Sequence, residues 1–362
     1  MTQLFKNVLE WIYSWVGNYG WSVVLFTLLI RILLLPLDIR SKKGMRGMQK
    51  IQPKVQALQK KYANDKEKLN QKTMELYRKE HVSMTAGCLP MLISLPILFI
   101  MFSAMRSVGA DMTDRMYNDI RQEFNTAVQQ SVDACQSEEE KQAITQDLVK
   151  FVETAEIKAP ELDGWLWIKN VFRPDSFSST ILHTSADAPV AELSSSANEL
   201  LQFEPYSVLL DKWDIVPEGA FRRVTIPLLF ANPTINLPTS LANLFKYSNG
   251  LFILPLLAGF SQFFMTKITN LTEKKKKKEE DEVPAVKNDV AQQSNPMNSP
   301  IMKWFFPIFS VYICATSNAA FSIYWMAANV IQIVQQLVLN AWFNHQDAKA
   351  ELAAAAQAPD DI

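Results

Sequence analysis

Five apolar stretches, each bounded by charged segments, set the rhythm of this chain. The first is Trp21–Leu37, WSVVLFTLLIRILLLPL, whose 17 residues make roughly 25 Å of helix against a ~30 Å hydrocarbon core. The second, Gly87–Met105, carries Pro90 and Pro96, tolerated in a span where neighbouring helices satisfy the freed carbonyls. The third, Leu251–Met265, and the fourth, Trp304–Thr316, are short at 15 and 13 residues. The fifth runs from Ala319 to about Trp342 and is rich in polar side chains. This pattern predicts an all-α polytopic membrane protein with five transmembrane helices. The short spans predict a locally thinned bilayer, one answer to hydrophobic mismatch.

The segments between the spans have patterns of their own. Leu4, Phe5, Val8, Leu9, Ile12, Tyr13 and Val16 recur at helical spacing beside Trp11 and Trp15. An amphipathic helix over residues 1–20 follows, lying in the outer membrane interface or packed as a cap on the protein itself. With no continuous apolar core and no AxA-like site, the segment does not read as a cleavable signal peptide. Ile51, Val55, Leu58 and Tyr62 mark one helical arm, and Leu69, Met74, Leu76 and Tyr77 a second. Asn64–Asp65 between them has capping character. The divisions expected are spans at 21–39, 85–106, 250–267, 301–317 and 319–343, a helical hairpin at 40–84, an insert at 107–249, a basic loop at 268–300 and a tail at 344–362. In the insert, residues 111–156 read as two amphipathic helices joined near Ser137, and residues 177–247 as mixed pieces with one strand-like run, FRRVTIPLLF.

Charge orients these elements. The net charge of −1 hides strong segregation: Arg40–Glu80 holds thirteen basic residues against four acidic ones, and the second loop carries Lys267 and the run Lys274–Lys278. Both belong on the cytoplasmic side by the positive-inside rule. Five spans then put the N-terminus outside, the C-terminus inside and the acidic insert outside.

Arg31 is the one ionisable side chain in the first span. A guanidinium near the centre of a span costs roughly 2.5–3.5 kcal/mol even on the lenient insertion scale, and it does not shed its proton. It calls for a wet, polar surface inside the bundle. Thr27, Arg31 and Asp38 share one side of the first helix, and Ser310, Cys314 and Ser317 one side of the fourth. Ser322, Trp325, Asn329, Gln332 and Gln336 form a stripe on the fifth. Such stripes are interhelical glue or, with a central arginine, the lining of a hydrophilic groove. Three cysteines (Cys88, Cys135, Cys314) make no disulfide framework. Three scattered histidines give no metal-binding spacing, and no Walker loop, GxGxxG or GxSxG occurs. No metal, cofactor or enzyme chemistry is predicted, and lysines without a defined fold are no specific nucleic-acid signal.

The arginine within LLIRILLLPL, the hairpin segment KIQPKVQALQKKY, and the span sequences TAGCLPMLISLPILFIMF, ILPLLAGFSQFF, PIMKWFFPIFS and FSIYWMAANVIQIVQQ together resemble the YidC/Oxa/Alb membrane protein insertases. WLWIKNVFRPD resembles the family's outer loop. The resemblance covers 1–106, 165–175 and 250–343. It implies five helices around a hydrophilic groove open to cytoplasm and lipid but closed outside, with a cytoplasmic helical hairpin and, here, an enlarged extracytoplasmic loop. It assigns the groove arginine to Arg31, places Trp325 beside it, and makes Ser261 and Gln262 groove neighbours; many relatives carry glutamine where Met265 stands. The groove set is then Thr27, Arg31, Ser261, Gln262, Ser310, Ser322, Trp325, Asn329 and Gln332, with Lys54, Lys60, Lys61 and Lys72 of the hairpin as docking residues for client or ribosome. The partners implied are newly made membrane proteins and the lipid bilayer, with the Sec translocon and the ribosome as further candidates, in a bacterial inner membrane. The tail from His345 to Ile362 has one lysine and four acidic residues, unlike the basic tails through which some relatives hold ribosomes. Two other functions compete: a membrane-protein assembly factor without insertase activity, and a solute transporter, which should show internal repeats.

Overall fold

The computed structural model describes residues 2–82, 89–227, 234–280 and 300–356. In chain order the elements are α1 (Thr2–Val16), α2 (Tyr19–Lys61), α3 (Lys66–Lys79), α4 (Leu89–Ala134), α5 (Glu138–Gln146), α6 (Leu148–Thr154), α7 (Ser195–Gln202) and α8 (Glu204–Lys212). The hairpin β1 (Phe221–Thr225) and β2 (Thr234–Pro238) follows, then α9 (Leu241–Tyr247), α10 (Ile253–Glu280), α11 (Pro300–Thr316) and α12 (Ala319–Ala356). The described residues are mostly helical, and the hairpin adds a small β element to the all-α expectation. Gly87, Cys88, the end of the FRRVTIPLLF run (228–230), most of the second basic loop and the last six residues lie outside the described residues. The lysine run Lys274–Lys278 falls within α10, its side chains outside the described set.

Two helices, Tyr19–Met48 and Ala319–Ala350, are long and apolar enough to cross a membrane. The apolar helices Ile253–Met265 and Trp304–Thr316 are shorter, as the sequence pattern anticipates. α2 is one helix of 43 residues, about 65 Å long, so the first span and the first hairpin arm are continuous. α4 has 46 residues and runs unbroken from the second apolar stretch into the insert. It stops before Ser137, which caps α5 in a reciprocal box with Glu140.

The chain divides into two compact units, Met1–Phe26, Met101–Gly259 and Phe309–Met326 in one, Thr27–Ile100, Phe260–Ile308 and Ala327–Ile362 in the other. Each of the five boundaries falls inside a different helix: α2, α4, α10, α11 and α12.

The first unit holds the insert, built on two apolar clusters. Tyr117, Ile120, Leu182, Leu200, Leu201 and Tyr206 form one, and Phe124, Phe151, Val152, Ile157 and Leu209 the other. Helical spacing on α4 supplies Tyr117, Ile120 and Phe124, so the insert packs on the extension of a predicted span. His183 sits at the edge of this core. The Tyr117 hydroxyl accepts from the His183 backbone N–H at 3.0 Å and shares a hydrogen bond with Nδ1 at 2.9 Å. Burial, with the nearby Arg173 cation, pushes the imidazole down to about 2, so it is held neutral.

The same unit satisfies the first N–H groups of α2, α10 and α12, which a helix cannot pair internally. Asn18 accepts from the Trp21 N–H (3.1 Å) and donates to the Gly164 carbonyl (2.8 Å). Asn318 accepts from the Phe321 N–H (3.0 Å) and donates to the Met105 carbonyl (3.3 Å). Ala319 and Ala320 donate to the Arg173 and Val171 carbonyls, each at 2.9 Å. Asp175 receives the N–H groups of Leu251 (2.8 Å), Phe252 (3.1 Å) and Leu254 (2.6 Å). Gly20 is required here, because a Cβ would stand 2.3 Å from the Trp165 ring.

Candidate functional site

In the second unit, α2 and α12 are joined by a run of polar contacts. Arg31 Nη2 donates to Gln332 Oε1 at 3.0 Å, and Gln335 Nε2 donates to Asp38 Oδ2 at 2.8 Å. Lys42 Nζ donates to Gln336 Oε1 at 2.6 Å. Arg46 donates to Asn344 Oδ1 (2.7 Å) and Asp347 Oδ2 (3.0 Å), its guanidinium carbon 4.8 Å from the Phe343 ring centre. Partners ascend together along both helices, so α2 and α12 run parallel in this unit. Asn329 Nδ2 donates to Ser261 Oγ of α10 at 3.0 Å, a buried bond.

The apolar faces of these helices point elsewhere. Leu28, Leu29, Ile32 and Leu33 on α2 are exposed while Thr27 is buried. Val330, Val334, Leu337 and Val338 on α12 are exposed while Asn329 is buried. Leu256 and Leu257 in the first unit, and Phe260 and Phe264 in the second, are exposed on α10. Polar side in and apolar side out is the reverse of a soluble helix and fits a lipid surround.

Of the groove residues read from sequence, the second unit contains Thr27, Arg31, Ser261, Gln262, Asn329 and Gln332. It brings Arg31 to Gln332 and Ser261 to Asn329. Ser310, Ser322 and Trp325 belong to the first unit. There the Ser322 hydroxyl donates to the Cys314 carbonyl at 3.0 Å, and the Trp325 ring packs 5.6 Å from that of Phe321. Its buried indole N–H has no acceptor among the described residues.

Sequence reasoning missed Arg46, Asn344 and Asp347. The signal was present: the stripe Asn329, Gln332, Gln336 continues at helical spacing through Asn340, Asn344 and Asp347, past the point where the apolar pattern ends.

On the hairpin, Lys54 pairs with Glu80 at 2.6 Å across the two arms, and that hydrogen bond holds the Glu80 carboxyl below its ordinary range. Lys72 pairs with Glu75 at 2.7 Å, a bond that raises the Lys72 ammonium above its ordinary value. Lys60 and Lys61 are exposed at the end of α2, Lys61 lying 5.6 Å from the Tyr62 ring centre. Asp65 caps α3 through the Lys68 N–H at 3.0 Å. Among the described residues no three His, Cys, Asp or Glu side chains converge as a metal site.

Residues 11–347 match the family model described as 60Kd inner membrane protein. The chain belongs to that family. Among curated relatives of this 60Kd family, a protein of Fusobacterium nucleatum named membrane protein insertase YidC is 51% identical over 94 residues, 26% of this chain and 46% of the relative. One of the same name from Caldanaerobacter subterraneus is 46% identical over 107 residues, 30% of this chain and 52% of the relative. A third, from Legionella pneumophila, is 44% identical over 102 residues, 28% of this chain and 18% of the relative. The chain thus spans about half the length of the first two relatives and under a fifth of the third. Family membership and the apolar helices make it a helical membrane protein of an inner-membrane family.

Proposed function

We propose that this chain is a membrane protein insertase and chaperone. It takes hydrophilic segments of a client into a positively charged groove within the membrane and releases the client's apolar helices into lipid. The observation that carries the reading is the bond between Arg31 and Gln332, in a chain whose relatives are named insertases. It fixes a permanent cation at membrane depth on a polar face shared by two apolar helices.

The energetics need no nucleotide. Arg31 attracts acidic groups of a client's flanking segment, and polar side chains such as Gln332 and Asn329 replace part of the water that segment gives up. Short spans, 13 residues each for Ile253–Met265 and Trp304–Thr316, thin the remaining barrier. Burial of client apolar surface, worth about 25 cal/mol per Å², drives release into lipid.

Topology enters the same proposal. Five helices cross between the two units, and parallel running of α2 and α12 fits an odd number of crossings between them. With Lys60 and Lys61 exposed on the hairpin, we place that end in the cytoplasm by the positive-inside rule, the N-terminus outside and the C-terminus inside. Those lysines offer a surface to a client or a ribosome. The Sec translocon is a candidate partner in the same membrane.

The test is a photocrosslinker at Gln332 during synthesis of a single-span client with an acidic flank. The reading predicts a client adduct that weakens when the flank is made neutral. Adducts to folded membrane proteins alone would favour an assembly factor instead.

A further inference from the structure

We propose that α9 and the turn Trp165–Ile168 form an apolar foot through which the insert enters the interfacial layer of the lipid bilayer. The foot stands beside the starts of α2 and α10, all within the first unit, and it rests on the reading that those two helices cross a membrane.

α9 turns its apolar face outward. Leu241 and Phe245, one helical turn apart, are 76% and 64% exposed, while Tyr247 is buried. Neither exposed residue packs into the two apolar clusters of the insert. Polar bonds hold the helix in this orientation. Ser240 caps its start through the Asn243 N–H at 3.1 Å, and the Tyr247 hydroxyl donates to Asp214 Oδ1 at 2.6 Å. The Lys169 ammonium closes the other end, donating to the carbonyls of Phe245 (2.9 Å), Lys246 and Ser248 (3.0 Å).

Lys169 also ties α9 to a second apolar tip. Trp165 and Ile168 exchange backbone hydrogen bonds of 2.8 and 2.9 Å and are both buried, so the turn between them is tight. Its first residue, Leu166, stands in the left-handed region at φ 53° and is 66% exposed. Glycine or asparagine takes that backbone at less cost than leucine. An apolar side chain held outward against its own conformational preference points to something that it meets there.

The position of the foot says what covers it. The Trp165 ring packs 5.6 Å from that of Trp21 in the first turn of α2, and only Ser248–Phe252 separate α9 from α10. Just inside these starts, Leu25 of α2 and Leu256 and Leu257 of α10 are exposed, the outward faces of two apolar helices. The foot continues that apolar surface at the level where the chain enters lipid. Exposed Trp21 and the basic side chain of Lys246, next to Phe245, are residue types that settle among headgroups with their apolar parts toward the acyl chains. The occupant is therefore phospholipid: the glycerol region and upper acyl chains of the leaflet nearest the insert.

The test uses the full chain in phospholipid nanodiscs, with Cys88, Cys135 and Cys314 replaced by alanine and one nitroxide label attached at a time. Leu241→Cys, Phe245→Cys and Leu166→Cys report on the foot, Leu256→Cys on the span, and Ser207→Cys on the exposed surface of α8. Power saturation compares collisions with oxygen, which concentrates in lipid, and with a water-soluble nickel chelate. The three foot labels should favour oxygen as the Leu256 label does, with the ratio reversed at Ser207.

Foot labels that favour the chelate while Leu256 favours oxygen would overturn the foot alone. Foot labels immobilised and shielded from both reagents would mean that protein covers the face, a second copy included, and would overturn it equally. Chelate access at Leu256 would overturn the spanning reading and the foot with it. If the cysteine-free chain does not fold, a phospholipid carrying a photoactivatable group in its upper acyl chain decides the matter on the unaltered chain. Adducts should map to residues 241–247, and their absence beside labelled α10 would overturn the foot. No readout involves a client, so a failure of insertase activity leaves the result intact.

Discussion

Asp175 and Arg31 are charged side chains in one membrane protein, and their surroundings handle the charge in opposite ways. Asp175, in the first unit, is fully buried with four N–H donors on its two oxygens. Arg31, in the second, is only half-buried, bonded to the end of a flexible glutamine and flanked by outward-facing leucines. The first arrangement is finished: each partner is backbone or a packed indole, and nothing can rearrange without orphaning a buried group. The second includes a side chain to side chain bond between two helices, Arg31 to Gln332. The two charges differ in the kind of partner the fold gives them: backbone N–H groups and a packed indole for Asp175, a side-chain amide on a neighbouring helix for Arg31.

That contrast is broken most easily in the first unit, where packing carries the fold. Leu201→Ala, at a site 1% exposed in the larger cluster, should cost about 2–5 kcal/mol, read as an earlier thermal transition of the insert. Should the insert melt unchanged, the cluster is not its core.

In the second unit the largest single contact is Arg46, which ties α2 to the far end of α12. Arg46→Ala leaves Asp347 only its Lys50 partner at 3.4 Å and should loosen the end of α12 by about 1 kcal/mol, below the cost of a fully buried pair because Asp347 is 37% exposed. Faster hydrogen exchange over residues 340–350 is the expected signature, with α3 unaffected.

Acid should separate the units by a similar amount. His183 titrates near 2 when folded against 6.5 when free, so the unfolded insert binds the extra proton between those values. The stability this provides is complete above about pH 6.5 and is lost as pH falls, at up to ~1.4 kcal/mol per unit, or about 2 kcal/mol by pH 5. Chemical denaturation of wild type and His183→Gln at pH 7 and pH 5 checks this. Equal losses in both would remove His183 from the account.

The smallest effect belongs to the buried bond between α12 and α10. Asn329→Ala should cost only about 0.6 kcal/mol, the usual worth of an interhelical hydrogen bond in a membrane. A loss several times larger would make Asn329 a structural keystone and weaken the proposal that it lines a groove.

Much of this was legible from pattern. Arg31 announced itself as the lone charge in an apolar run, and the stripe on the fifth apolar stretch pointed to Gln332 and Asn329, which the fold joins to Arg31 and Ser261. Ser137 marked the break after the long helix because its side chain competes for N–H groups at a helix start. Other features depend on contacts between residues far apart in sequence. Asp175 looks like any loop aspartate until Leu251, Phe252 and Leu254 are brought to it. Arg46 reads as one more basic residue of a topology-setting cluster, and only its bonds to Asn344 and Asp347 give it a separate task. The insert's core was hidden for a related reason: its helices are short, and Tyr117 and Phe124 lie on a helix that begins in the second apolar stretch.

The central claim is best tested by protease protection of a short, acidic-flanked single-span client added to liposomes containing the purified chain or its Arg31→Ala and Arg31→Glu variants. The account predicts protection with the wild type above empty liposomes, reduced with Arg31→Ala and lower still with Arg31→Glu. Equal protection by all three would contradict a role for the positive charge in the groove.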